Sequence, residues 1–199
     1  QVLTALNIAE AVKTKIKAIQ VLNDFIDKRD KENTIRDHIA ENPWLISSEW
    51  ETFKRERSLK KFMADAAKNV GFDQKIYKGR IDLALSSGNQ LLILEFMAPG
   101  LRIDSDHLDR YERYIDQIHD YVTSITGSHF HQISGYIVAD KIEQEAGLKR
   151  KIERLAESNM YAMDWHTLLQ KAIKQYEDYL KILVSRNPDD ARLKTLLGN

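Results

Sequence analysis

The sequence contains no cysteine, which excludes disulfides and thiolate metal sites. It also lacks an excess of charge of either sign, since 30 Lys and Arg balance 30 Asp and Glu. A small protein that coats nucleic acid non-specifically is usually basic, so this neutrality argues against that class. It leaves room for an enzyme with a local basic surface around an acidic centre. No apolar run approaches the roughly 20 residues that a membrane helix needs. The N-terminus sets Lys13, Lys15 and Lys17 into a periodic pattern instead of placing them before an apolar block, so we expect no signal peptide. Gly-rich phosphate loops, serine-nucleophile elbows and zinc signatures are missing as well. The expectation is a cytoplasmic protein with no membrane partner.

What is present is a chain of 199 residues, 43% hydrophobic and 30% charged. That is enough for one domain with a sizeable core. A start at Gln1 instead of Met leads us to expect a piece of a longer protein.

Val12, Ile16, Ile19 and Ile26 keep helical spacing, with Leu22 beside them. They predict one amphipathic helix over about the first 28 residues, whose apolar stripe reads as a connector or a dimer seam. Asp30 to Asn33 is a charged break. Thr34, with Asp37 at capping-box spacing, is expected to cap a second helix that stops near Asn42, ahead of Pro43. Trp44, Leu45 and Ile46 form a short apolar plug, and Trp50 to Lys68 reads as a charged helix.

The character then changes. Ile81, Leu83 and Leu85 alternate with Asp82, Ala84 and Ser86, which is a strand signature, and Leu91 to Phe96 is a second strand. Ser86-Ser87-Gly88-Asn89-Gln90 between them is turn chemistry. Gly71 to Tyr77 reads as a preceding strand. Capped by Asp104 or Ser105, the next helix carries Leu108, Tyr111, Ile115, Ile118, Val122 and Ile125 as a buried stripe and stops at Gly127. A central strand from Ile133 to Ala139, a helix from Lys141 to Glu157, a strand from Met160 to Met163 and a helix from Trp165 to Arg186 follow. Asn187-Pro188 ends the last helix.

This order predicts an α/β fold: a mixed sheet of four to five strands flanked by helices. Residues 1–33 are expected to form a helical extension or connector, 34–186 the domain and 187–199 a tail.

If the hairpin pairs Ser86 with Leu91, the residue numbers facing each other keep a constant sum, and Asp82 faces Glu95. Opposed side chains share a face, with Cβ atoms roughly 4.5–5.5 Å apart. Two carboxylates so close repel each other unless a cation sits between them. Their oxygens suit Mg²⁺ or Mn²⁺, which can polarise a phosphate and acidify a bound water. A register slip of one residue would separate them, and two solvent-facing strand residues are the other reading.

The order Asp82, turn, Leu92-Ile93-Leu94-Glu95-Phe96-Met97 resembles the signature of PD-(D/E)XK, restriction-endonuclease-like nucleases. The resemblance implies that Asp82 and Glu95 bind divalent metal on adjacent core strands, with an acidic residue of the preceding helix joining them. Glu41, in Glu41-Asn42-Pro43-Trp44-Leu45, resembles that helix in Shedu-type antiphage nucleases. Gln117 and Tyr121 resemble the Gln-X-X-X-Tyr element of helicase-associated exonucleases in the same superfamily, which implies a substrate groove. Residues from Glu41 to Trp165 are also similar to C-terminal regions of bacterial GHKL-type ATPase proteins. This implies an upstream ATPase domain.

Met97 stands where the family has its lysine. Methionine can neither orient a water nor stabilise negative charge. Arg80, facing Met97 in the same register, or Arg102, beyond Pro99-Gly100, is a replacement cation. Arg80 reads equally as a neutralising partner in a dead ion cluster, because a guanidinium is a poor base.

Other candidates are weaker. Lys54, Arg55, Arg57, Lys60 and Lys61 can follow a phosphate backbone, or form a solvated face with Glu51, Glu56 and Asp65. His129 and His131 make a two-residue step without a third ligand. His107 and Asp109 open a helix near the strand ends, and Tyr114 falls beside Gln117 and Tyr121. Two functions remain open: a metal-dependent DNA or RNA nuclease, and a catalytically inactive module on that fold that binds nucleic acid, a protein or a second copy of itself.

Overall fold

The structure, a computed structural model, describes residues 2–55, 82–97, 100–124 and 130–189. Helices α1 (Val2–Asp27) and α2 (Glu32–Glu41) come first, followed by two short 3-10 turns, Pro43–Leu45 and Ser48–Trp50. The strands are β1 (Lys54–Arg55), β2 (Leu83–Ser87), β3 (Gln90–Phe96), β4 (Arg102–Ile103), β5 (Gln132–Ala139), β6 (Lys141–Ile142) and β7 (Met160–Asp164). Helices α3 (Ser105–Ser124), α4 (Leu148–Glu157) and α5 (Trp165–Arg186) complete the described elements.

Five strands form one mixed sheet in the order β1-β2-β3-β5-β7. The pairs β1–β2 and β2–β3 are antiparallel, while β3–β5 and β5–β7 are parallel. β4 and β6 pair separately. Gly88 and Asn89 make the β2–β3 turn, with Gly88 at φ +57°. A positive φ at the first turn position is what a tight hairpin requires and what glycine accepts without strain.

The pleat sorts the core into two layers. Leu91, Ile93, Ile133 and Ile137 pack with Leu108, Tyr111, Ile115, Ile118 and Val122 of α3 and Leu155 of α4. On the other face, Leu83, Leu85, Leu92, Leu94 and Val138 meet Ile19 and Leu22 of α1, Ile35 and Ile39 of α2 and Leu168 and Ala172 of α5. Helices therefore cover both faces of the sheet, as a strand that is apolar on both sides demands.

Several expectations change. α2 starts at Glu32, not at Thr34, and no side chain caps it; the Lys31 carbonyl accepts from the Thr34 amide at 2.8 Å. Asp37 pairs with Arg55 instead. Of the helix expected from Trp50 to Lys68, the described part up to Arg55 is the end of a 3-10 turn followed by strand β1, because Lys54 and Arg55 find ladder partners in Ser86 and Leu85, while residues 56–68, with Arg57, Lys60 and Lys61, lie outside the described residues. The helix expected from Lys141 begins only at Leu148: β6 pairs with β4, and Gly147 at φ +84° breaks the path between them. The apolar stripe of α1 is covered within the chain, since Ala5, Ala9 and Val12 pack against Leu180 of α5. The strand expected at Gly71–Tyr77, the stop at Gly127, His129 and Arg80 lie outside the described residues.

Candidate functional site

The hairpin register is the one counted from the turn: Ser86 pairs with Leu91, Ala84 with Ile93 and Leu83 with Leu94. The ladder ends at that last pair, and Asp82 and Glu95 are the next residue along each chain. Ala84 and Ile93 both lie in the cluster under α3, so the alternating pleat of β3 turns Glu95 to that same face. Asp82 lies just before β2, outside the ladder. Its Oδ2 accepts the Phe96 backbone N–H at 2.5 Å.

Glu95 is buried. Its strand neighbours on that face are Ile93 and Met97, and its partner on β5 is Ile137, so its surroundings are apolar. Among the described residues its Oε2 has no hydrogen-bond partner. Burial without compensation disfavours the ionised form and pushes its carboxyl up to about 8.

α3 closes over this face with more than aliphatic side chains. His107, Tyr111 and Tyr114, at helical spacing, are all buried. Burial, then the charges of Glu95 and Asp82, drives the Tyr114 hydroxyl far above the usual phenol range. Tyr111 is shifted in the same direction by burial and then by Glu95. These shared influences place Asp82, Glu95 and Tyr114 in one neighbourhood. Tyr111 reaches onto the sheet at Gly135, where a Cβ would overlap its hydroxyl and stand 2.9 Å from Ile115 Cδ1. His107 is tied by Nδ1 to Asp104 Oδ1 at 2.6 Å, and its backbone N–H donates to the same oxygen at 2.8 Å. Burial works to raise Asp104, but these two bonds outweigh it and hold its carboxyl below the usual range. Asp104 is thus the cap expected for this helix.

The other candidates are placed elsewhere. Glu41 is exposed at the end of α2, whose apolar residues pack on the opposite face of the sheet. Gln117 is exposed, and Tyr121 packs beside the α3 cluster; Tyr121 is about 10 Å along the helix axis from Tyr114. Arg102 is exposed on β4 and forms an ion pair with Glu143 at 3.4 Å. Lys54 is exposed on β1, and Arg55 is held by Asp37 at 2.7 Å. His131 is exposed, and Asp109 binds Lys151 at 2.5 Å.

Sequence reasoning assigned Tyr111 to the core and did not connect it with Glu95. Its place in an apolar helical stripe carried no sign of a polar neighbour across the layer.

Among the described residues no group of three or more His, Cys, Asp or Glu is arranged to hold a metal ion. Nor is any helix there long and apolar enough to cross a membrane. In comparisons with known proteins, no family model, curated protein or solved structure matches this chain.

Proposed function

We propose that this chain is a divergent nuclease domain of the PD-(D/E)XK kind, in which Asp82 and Glu95 hold Mg²⁺ or Mn²⁺ and hydrolyse a phosphodiester of DNA or RNA. One observation supports the reading: the β2–β3 ladder ends at Leu83 opposite Leu94, Asp82 and Glu95 are the next residue along each chain, and Glu95 Oε2 is buried with no hydrogen-bond partner among the described residues. A mixed sheet with helices on both faces is compatible with it.

The residues fit a divalent cation in their chemistry. A buried carboxylate oxygen without a donor is costly, and a cation would offset that cost. Two protein carboxylates leave positions for water and phosphate oxygens, which Mg²⁺ retains readily. When bound, the metal would polarise the phosphate and lower the pKa of a water. The chain's own part is positional: the Phe96 amide orients the Asp82 carboxylate.

A second reading is favoured by Met97, which is buried in the apolar cluster under α3. It makes the chain a catalytically inactive module that binds nucleic acid or a protein partner for an ATPase-bearing parent. Calorimetric titration with Mn²⁺, together with cleavage assays on DNA and RNA, separates the two. Metal binding and cleavage that are both lost in Asp82→Asn and Glu95→Gln would establish the enzyme. No heat with Mn²⁺, and no cleavage even by Met97→Lys, would leave only the module.

A further inference from the structure

Helix α1 ends in a tight turn in which the Arg29 N–H donates to the Ile26 carbonyl at 3.0 Å and the Asp30 N–H to the Phe25 carbonyl at 2.9 Å. This is a Schellman closure, and its second-last position takes a left-handed backbone that glycine fills without strain. Here that position is Arg29, at φ +51°. Asn159, at φ +58°, is the other non-glycine residue with positive φ among those described, and asparagine tolerates this region. Arginine does not, so the turn carries a local strain that the simplest substitution would remove.

The strained residue also borders a cleft at one end of the sheet. Arg29 rims a small cleft with Asp30, Asp140, Phe96, Met97 and Trp165. The cleft opens at the carboxyl ends of the parallel strands β3 and β5, the edge at which α/β sheets receive ligands. Phe96 and Met97 directly follow Glu95, and the Phe96 amide holds Asp82. Arg29 is exposed and forms no ion pair among the described residues. Asp140 in the same cleft is engaged by the Gly100 amide at 2.7 Å.

We propose that Arg29 contacts a backbone phosphate of the nucleic acid, supplying from the α1–α2 link the positive charge that Met97 does not. The proposal rests on the nuclease reading above and names a substrate-contacting residue for it. Strain kept at a position where glycine would be better is expected when the side chain is needed for binding.

The test compares wild type, Arg29→Gly and Arg29→Lys by thermal melting and by anisotropy with labelled DNA and RNA oligonucleotides across a NaCl series. Ca²⁺ replaces Mg²⁺ so that binding is read without cleavage. Arg29→Gly is expected to melt about 2–4 °C higher. It is also expected to bind roughly fivefold more weakly, with a salt slope lower by about 1. Arg29→Lys is expected to retain most of the binding without the gain in melting temperature. Wild-type binding that Arg29→Gly leaves unchanged, or that Arg29→Lys loses as fully as Arg29→Gly, overturns the role of Arg29 alone. Absence of wild-type binding to every oligonucleotide overturns the nucleic-acid reading together with it.

Discussion

The Phe96 backbone N–H donates to Asp82 Oδ2 at 2.5 Å, so the acidic residue just before β2 ties down the end of β3. Asp82 therefore has a structural role whatever else it does. Asp82→Ala leaves the Phe96 N–H without this acceptor and is expected to cost about 1–3 kcal/mol. Asp82→Asn keeps an oxygen in place and should cost less than half as much. Urea unfolding of both variants checks this. Equal and substantial losses would show that the charge of the carboxylate, and not an acceptor oxygen alone, stabilises this bond, whereas negligible losses in both would show that the bond contributes nothing.

Glu95 predicts an unusual dependence of stability on pH. Its carboxyl rises from 4.5 in the unfolded chain to about 8 in the fold. Between those values the folded protein holds a proton that the unfolded chain has released, so stability falls as pH rises. The stabilising contribution is complete below the unfolded value and lost through the folded one. Glu95→Gln removes the ionisation. It should match wild type near pH 4 and exceed it at pH 8 by an amount on the order of a few kcal/mol. A difference that does not vary with pH across melts in that range would refute the burial argument.

Gly135 and Tyr111 form a steric pair across the layer between β5 and α3. Gly135→Ala forces the Tyr111 hydroxyl and Ile115 aside, at an expected cost of about 1–3 kcal/mol. Tyr111→Phe removes the oxygen that a new Cβ would strike. The double variant should be more stable than the sum of the two single changes predicts, and denaturant melts of all four proteins measure that coupling. Strict additivity would mean that the backbone moves away and the contact is unimportant.

Lys15 joins three elements that are distant in sequence. Its Nζ lies 4.4 Å from the Trp44 ring centroid and 5.5 Å from that of Tyr176, and it pairs with Glu51 at 2.5 Å. Lys15→Met keeps the stem and removes the charge. The expected loss is about 0.5–2 kcal/mol, read as a lower urea midpoint with an unchanged slope. A neutral result would reduce the contact to packing by the stem alone.

Much of the architecture was legible because local patterns and tertiary partners agreed. The α3 stripe from Leu108 to Val122 faces the sheet as its spacing requires, and α5 runs from Trp165 to Arg186 between the boundaries its sequence marks. Gly88 permitted the β2–β3 register to be counted from the turn. The short strands were not legible. Lys54–Arg55 and Lys141–Ile142 are two residues each, with no periodicity of their own, and are strands because β2 and β4 offer them ladders. Arg29 was hidden for a related reason: no glycine or asparagine marks the turn that ends α1.

By itself the sequence determined the hairpin register that sets Leu83 opposite Leu94, with Asp82 and Glu95 the next residue along each chain. Turn chemistry and alternation are local, and they survive into the fold. Only the tertiary structure decided the environment of that pair. Packing α3 over the sheet buries Glu95 among Ile93, Met97 and Ile137, while Glu41 ends exposed on a helix that packs on the other face. Whether a carboxylate is solvated depends on which helix covers it, and that is a long-range outcome no strand pattern contains.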